Sequence, residues 1–474
     1  MKILLTGATG YIGKRLLPVL IELGHEVICC VRDIKRFNPT DSLRERITIL
    51  KLDLLDKTSL ENIPKDIDGA YYLVHSMSSS RDYQSLEETS AINFRDALKK
   101  TNVNHVVYLS GIVNETELSQ HLTSRKNVEM ELSKGGYNFT ALRAGIIIGS
   151  GSASFEIIRD LVEKLPVMIT PKWLLTKCQP IGISDVIEFL SKSLFNPKTF
   201  NENFDIGGPD VLSYKKMLLD FGKVRNLKRK ILIVPIMTPK LSSYWLYFVT
   251  STSYNLATSL VHSMKIEVIC RDNQLNTILG VNPLSYKDSL KRAFSKIETN
   301  EIISSWKDAY SSSGLNFNIS EYIQVPVFGC FKDSRMRPFE NRKVCVDKIW
   351  SIGGNTGWYY GNWLWRIRGV MDKIFGGVGL RRGRTNPSAI NIGDSIDFWR
   401  VLYANKDEGR LLLFAEMKLP GEAWLEFKVI DGVLMQTATF RPLGLAGRLY
   451  WYAVFPFHGY IFKGMIRNIT KNKS

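Results

Sequence analysis

The chain has 474 residues, 45% of them hydrophobic and 23% charged, the balance of a globular protein long enough for two or three domains and a large core. Its formal net charge of +17 favours anionic ligands or surfaces, although basic residues spread over solvated faces account for the same number. The six cysteines, Cys29, Cys30, Cys178, Cys270, Cys330 and Cys345, contain no C-x-x-C pair, and no histidine is spaced to complete a zinc site, so a zinc module is excluded and a reducing, cytoplasmic setting is expected.

The first residues, MKILLTGATGYIGK, organise everything that follows. Lys2–Thr6 reads as a strand, Gly7, Gly10 and Gly13 follow at intervals of three, and Tyr11–Leu23 reads as a helix with Ile12, Leu16, Leu17 and Leu20 on one face. Strand, glycine turn and helix form the context in which such glycines carry meaning. Gly7 allows a tight turn, Gly10 lets a pyrophosphate approach the main chain, and Gly13 lets helix and strand pack closely. The helix N-terminus offers N–H groups and partial positive charge to a diphosphate, with Thr9, Tyr11 and Ile12 completing the turn. The spacing is G-x-x-G-x-x-G rather than the G-x-G-x-x-G of the broader fingerprint, and an ordinary βα turn is the alternative.

Further strands are expected at Glu26–Val31, Ile47–Leu52, Ala70–Val74, His105–Ser110 and Asn138–Ala144, with helices at Asp82–Lys100 and Ser124–Lys134 between them. Such alternation implies βαβ units and a doubly wound parallel sheet, an α/β fold whose ligand lies across the carboxyl ends of the strands. At the end of the second strand Arg32 comes first, with Lys35 and Arg36 close behind. A guanidinium there can clamp a 2′-phosphate, which favours NADP(H) over NAD(H), while Asp33 leaves the carboxylate role open. Asp53, followed by Leu54, ends the third strand and either accepts from an adenine amino group or caps the helix near Asp56. His75 and Ser76 follow the fourth strand as neighbours of the cofactor's middle.

TGATGYIG, LDLLD, the helix carrying Asn93, VVYLSGI and LRAGIIIGSGSASF together resemble the short-chain dehydrogenase/reductase superfamily. The likeness covers roughly residues 1–300 and is closest to its extended and atypical members, the NAD-dependent epimerase/dehydratase-like and NmrA-like proteins. That resemblance implies a catalytic serine at the end of the fifth strand and a Tyr-x-x-x-Lys on the next helix. Ser110 matches the serine, but the nearest spacing match to the pair is His121 with Arg125. His121 can move a proton near neutral pH, whereas Arg125 stays charged and can only hold. The substitution leaves two readings, a His–Arg relay or a site that binds NADPH and turns over slowly or not at all. Tyr108 lies on the strand and does not restore the motif, and Glu129 is spaced to pair with Arg125 along the helix.

Residues 145–300 read as a substrate lobe, with Gly149, Gly151, Ser152 and Ser154 just past the sixth strand, and residues 301–340 as a linker containing Pro326 and Pro338. The remainder, 341–474, is aromatic and glycine-rich. A helix is expected over Tyr359–Phe375, strands over Ser395–Tyr403, Arg410–Met417, Ala423–Ile430 and Val433–Phe440, a hairpin turn at Asp431-Gly432, and a final helix over about Gly444–Ile469. GWYYGNWLWRIRG, GGVGLRRGR and GLAGRLYWYAVFPFH look like a C-terminal domain of unknown function that recurs after such Rossmann domains and is similar in outline to START and polyketide-cyclase helix-grip folds. The resemblance implies a cavity that Trp358, Trp363, Trp365, Trp399, Trp424 and Trp451 either line or fill. Arg366, Arg368, Arg381, Arg382 and Arg384 form a basic cluster. The apolar stretches 231–264 and 449–462 are broken by prolines and reach no clean run of about 20 residues, so no transmembrane span is expected, while contact with a membrane surface stays open. No nucleic-acid-binding signature is present. The leading expectation is an NADPH-dependent oxidoreductase on an apolar carbonyl-like small molecule; the alternatives are a dinucleotide-sensing scaffold, or a lipid- or quinone-binding protein with a structural dinucleotide.

Overall fold

A computed structural model describes residues 1–32, 34, 37, 41–74, 83–113, 120–234, 243, 258, 261, 263–271, 274–298, 325, 330–375, 377–380, 384, 389–442 and 444–471. The chain divides into two compact units, Met1–Thr250 with Tyr254–Trp306, and Lys307–Ser474 with Ser251–Ser253.

The first unit is built on a seven-stranded parallel sheet. Its strands are β1 (Lys2–Leu5), β2 (Glu26–Val31), β3 (Ile47–Lys51), β4 (Gly69–Tyr72), β5 (His105–Gly111), β6 (Asn138–Ala144) and β7 (Glu202–Ile206), in the order β7-β6-β5-β4-β1-β2-β3. The helices that matter here are α1 (Gly13–Glu22), α2 (Tyr83–Leu98), α3 (Gln120–Leu132), α4 (Ala153–Lys164) and α5 (Ile183–Ser193). Side chains alternate across β1. Ile3 and Leu5 pack with Leu16, Leu17 and Leu20 of α1 and Phe189 of α5, whereas Leu4 packs with Phe94 and Leu98 of α2 and Val128 of α3. Each buried side chain of this kind stabilises the fold by about 1.5–3 kcal/mol. The chain leaves β1 for β2 and β3 on one side, then returns to β4 on the other, so the switch in strand order lies at β1. In such sheets the ligand crevice opens there, beyond the carboxyl ends. A smaller core of Phe155, Leu161, Met217, Phe221, Tyr286 and Phe294 forms the lobe beyond β6.

All six expected strands of this sheet occur, two of them to the residue and the rest within two. Glu129 departs from its expected partner. It receives two hydrogen bonds from Arg143 of β6, Nε to Oε2 at 3.0 Å and Nη2 to Oε1 at 2.6 Å, with both side chains largely buried. The two-pronged geometry of the guanidinium across the helix–strand contact outweighs a solvent-side pair along the helix.

The second unit contains a six-stranded antiparallel sheet. Its elements are β8 (Phe331–Pro338), α6 (Arg342–Ile349), α7 (Asn362–Ile374), β9 (Ser395–Ile396), β10 (Trp399–Asn405), β11 (Arg410–Ala415), β12 (Gly421–Ile430), β13 (Val433–Pro442) and α8 (Gly444–Thr470), with strand order β8-β13-β12-β11-β10-β9. Asp431 and Gly432 both have positive φ, at 46° and 80°, as a type I′ hairpin requires. The segment expected to be linker contributes β8, which pairs with β13 from Phe331 to Pro338. Its period of two is hidden because Arg335 and Asp333, on the less exposed face, satisfy each other through an ion pair at 2.9 Å. Pro338 is tolerated at the end of an edge strand. Trp358, Trp365 and Trp399 pack on one another at ring distances of 5.2 and 6.0 Å and fill the core between sheet and helices. Trp424 and Trp451 are also buried, but Trp363 faces outward. Of the expected basic cluster, Arg384 turns inward and donates to the carbonyls of Trp350, Ile352 and Ala389, and Arg381 and Arg382 lie outside the described residues.

His105 ties β5 to the chain beyond α5. Its Nδ1 accepts from the Phe195 N–H at 2.9 Å, and its Nε2 lies 2.8 Å from Thr140 Oγ1, whose own hydroxyl donates to the Thr199 carbonyl at 2.6 Å. That arrangement requires a neutral ring, and burial lowers its pKa to about 4. The unfolded chain takes up this proton below about pH 6.5, so the contribution is complete above that value and is lost as pH falls towards 4. Unfolding free energy should therefore fall by up to about 1.4 kcal/mol per pH unit from this group. Chemical denaturation between pH 7 and 4.5 tests this: His105→Asn should flatten the dependence, and an unchanged slope would refute the assignment.

Candidate functional site

The glycine turn sits at the switch in strand order. Thr6 fixes it by accepting from the Leu73 N–H at 3.2 Å while its hydroxyl donates to the Tyr71 carbonyl at 2.8 Å. Gly7 has φ +72°, and a β-carbon there would lie 2.6 Å from the Leu73 carbonyl oxygen. At Gly13 a β-carbon would lie 2.3 Å from the Gly7 oxygen. Gly10 differs: a β-carbon would meet only the Gly7 oxygen, at 3.0 Å, and otherwise open space. Two glycines are thus required by the protein itself, and the third leaves the main chain bare towards the crevice. The N–H groups of Tyr11, Ile12 and Gly13 open α1 without an acceptor among the described residues, and they suit an anion.

The Tyr11 side chain points elsewhere. Its hydroxyl is buried against Gly149, where a β-carbon would come within 2.5 Å of it. Burial pushes its pKa up to about 12, against the opposing charge of Arg15 stacked 4.0 Å over the ring. Arg15 also donates to the carbonyls of Tyr11 and Ser150. Ser152, expected beside the substrate, caps α4 by accepting from the Phe155 N–H and donates to the Ile147 carbonyl; its role is structural.

Arg32 is exposed directly after β2. Asp53 is half-buried beyond β3, where one carboxylate oxygen accepts from the Leu55 N–H at 3.0 Å, while Asp56 caps the following short helix. The cap reading of Asp53 therefore falls to its neighbour. Leu54 is buried, and its carbonyl is held by Asn93 Nδ2 at 2.9 Å, fixing the loop. Thr9 lies half-buried in the turn. His75 and Ser76 lie outside the described residues, and His121 stands in the first turn of α3.

Ser110, the next-to-last residue of β5, has a buried hydroxyl without a well-formed hydrogen bond among the described residues; it lies beside the Tyr108 hydroxyl and offsets part of the rise in that group's pKa. Arg125 reaches the same strand end, with Nη1 donating to the Leu109 carbonyl at 3.1 Å. Burial raises the pKa of the Tyr108 and Tyr72 hydroxyls, and the Arg125 charge pulls both back. Glu87 of α2 contributes a negative charge to these tyrosines and accepts a hydrogen bond from Ser124. Ser110, Tyr108, Arg125, Ser124 and Glu87 thus gather around one end of β5. Glu87 and Ser124 were not expected from the sequence. Glu87, Ser90 and Asn93 are buried at intervals of three on α2, and polar residues at the spacing of an inward face are the sign that could have found them. Among the described residues, no group of His, Cys, Asp and Glu could hold a metal ion.

Residues 7–160 match a family described as NAD(P)H-binding, and residues 330–465 match a family described as a protein of unknown function, DUF2867. The first unit thus carries a Rossmann-like parallel sheet, and its residues 7–160 match an NAD(P)H-binding family. Similar chains include the chloroplastic divinyl chlorophyllide a 8-vinyl-reductase of Arabidopsis thaliana, 24% identical over 44% of this chain and 54% of that protein. The photosystem II assembly factor Ycf39 of Trieres chinensis is 25% identical over 44% of this chain and 64% of its own. This chain therefore spans only about half to two thirds of the curated relatives it matches. Among solved structures, triphenylmethane reductase from Citrobacter sp. superposes with a TM-score of 0.51 at 14% identity, covering 62% of this chain and all of the other. A nucleoside-diphosphate-sugar epimerase from Staphylococcus aureus gives 0.50 at 16% identity over 61% of this chain and all of its own. Both likenesses concern the fold.

The glycines separate binding from folding. Gly10→Ala should weaken dinucleotide binding at least about tenfold, or 1.4 kcal/mol, while unfolding stability stays within about 1 kcal/mol. Gly13→Ala should lower stability itself. Fluorescence titration with NADPH, alongside denaturant melts of each variant, checks both.

Proposed function

We propose that this protein is an NADPH-dependent reductase acting on an apolar carbonyl-like small molecule held beyond the ends of β4 and β5. Ser110 carries the reading. Its buried hydroxyl lacks a well-formed hydrogen bond among the described residues, next to the carbonyl that Arg125 grips. A buried hydroxyl without one costs about 1–3 kcal/mol, which a substrate oxygen would offset. The bare main chain at Gly10 and the N–H groups of Tyr11, Ile12 and Gly13 would hold the diphosphate, Asp53 and Leu54 the adenine end, and Arg32 a 2′-phosphate. When bound, NADPH would supply the hydride. Ser110 then donates to the reacting oxygen, His121 supplies the proton, and Arg125 remains a fixed charge beside the nicotinamide end. The reductases among the relatives support hydride transfer as the chemistry.

One observation favours a second reading, a dinucleotide-sensing scaffold. His121 and Arg125 occupy the spacing at which the resembled enzymes carry tyrosine and lysine, and Arg125 is already engaged with the backbone. The second unit we read as helix-grip-like, because a long helix packs with an antiparallel sheet around one core. Its packed indoles favour a filled interior over a ligand cavity.

Two substitutions separate these readings. Arg32→Glu should weaken NADPH at least about tenfold in a fluorescence titration and leave NADH within about twofold; equal losses for both would remove Arg32 from the 2′-phosphate. His121→Ala should keep NADPH binding and lower turnover about 100-fold in an absorbance screen against carbonyls and quinones. Tight NADPH binding with no oxidation by any of these acceptors would establish the sensor instead.

A further inference from the structure

Helix α7 is built inside out. Its buried face carries Trp365 but also Gly369, Asp372 and Lys373, and its outward face carries Trp363, Ile367, Val370, Met371 and Ile374, which with the following Phe375 are 47–71% exposed. These helical positions fall at i, i+4, i+7, i+8 and i+11, a single stripe. Asp372 is drawn inward by two backbone donors, Gly379 N–H at 2.8 Å and Lys418 N–H at 2.6 Å. Helix α8 repeats the pattern over its first half. Leu449, Tyr452, Phe455, Phe457 and Tyr460 are 49–66% exposed, opposite buried Trp451, Ile461 and Phe462. The residue pair leading into α7 reaches α8 where Tyr360 packs on Tyr460 at 4.9 Å, and on the buried sides of the helices Trp365 lies 6.3 Å from Phe462.

Water is a poor solvent for two stripes of this size, and the surrounding charges say what replaces it. Helix α8 contains no acidic residue in 27, and the single acid of α7 is the buried Asp372. The exposed charges on both helices are cationic: Arg366, Arg448, Lys463 and Arg467. Residues 330–474 hold 23 Lys and Arg against 12 Asp and Glu, a net +11 of the chain's +17. A second copy seated on this face would bring like charges together, as a two-fold contact repeats the same patch on both sides. Aromatic and aliphatic side chains rimmed by lysine and arginine match the boundary between lipid headgroups and acyl chains. No helix among the described residues is long and apolar enough to cross a membrane.

We propose that α7 and α8 form a peripheral docking face for anionic lipid bilayers. The stripes enter the headgroup–acyl boundary, and the four cations meet lipid phosphates and carboxylates. This docking is independent of the reductase reading, since none of its residues belongs to the dinucleotide site.

Sedimentation of the full chain with vesicles tests it. Phosphatidylcholine vesicles with about one third phosphatidylserine should carry the protein down, and phosphatidylcholine alone should do so at least about tenfold less well. Ile367→Asp with Val370→Asp should weaken binding at least about tenfold. Arg448→Glu with Lys463→Glu should do the same on anionic vesicles, at roughly fivefold per charge removed. An unchanged denaturation curve by tryptophan fluorescence, which reports the buried Trp358, Trp365, Trp399, Trp424 and Trp451 of the second unit, verifies that each variant is folded. Absence of wild-type sedimentation overturns the proposal, as does binding that survives the aspartates. Self-association abolished by those aspartates, without vesicle binding, would reassign the stripes to a protein contact.

Discussion

At Gly13 there is no room for a side chain: a β-carbon would stand 2.3 Å from the Gly7 oxygen, and one at Gly7 would press on Leu73. This close approach of helix, turn and neighbouring strand fixes the start of α1 over the end of β1. With β1 inside the sheet, between β4 and β2, the rest of the first unit is placed from there. β4 and β5 step outward on one side, so Ser110 comes to the same edge of the sheet as the glycine turn. Tertiary crowding, rather than the needs of a ligand, accounts for two of the three glycines.

The polar cluster beyond β5 obeys a different physics. Its members are enclosed, and burying charge and hydroxyls is costly unless each finds a partner. Ser124 meets Glu87, and Arg125 Nη1 meets a backbone carbonyl; among the described residues the Ser110 hydroxyl and the Arg125 Nε are left over. Such incompletely satisfied sites are where proteins depart from the rules that stabilise them. The contrast with Glu129 and Arg143 is instructive. That pair satisfies itself with two hydrogen bonds and has nothing left for chemistry.

The strands of the first sheet were legible because each is a short apolar run with both faces buried, and Glu26–Val31 and Asn138–Ala144 were readable to the residue. Helix α3 begins at Gln120, four residues before its expected start, because its first turns are polar and carry no apolar stripe. β8 was hidden for a related reason, since inward positions held by Asp333 and Arg335 look like linker until their pairing is seen. The glycine turn, Ser110 and the Arg125 position could be read from spacing. Polar residues on the inward face of α2 point to Glu87, but its pairing with Ser124 could not be read, because the two lie 37 residues apart on different helices. Nor could the orientation of α7, where a stripe that ordinarily marks the core-facing side is turned out and Asp372 is held in.

Arg15 follows the last glycine of the turn by two residues. It bonds at once to the turn, through the Tyr11 carbonyl, and to the segment after β6, through the Ser150 carbonyl, while its charge covers the Tyr11 ring wedged against Gly149. The dinucleotide turn and the entrance to the lobe are therefore one mechanical part. Whatever shifts the turn must also work against the lobe, and whatever orders the lobe lends its free energy to the turn. Displacing either segment strains the two hydrogen bonds that this one arginine shares between them.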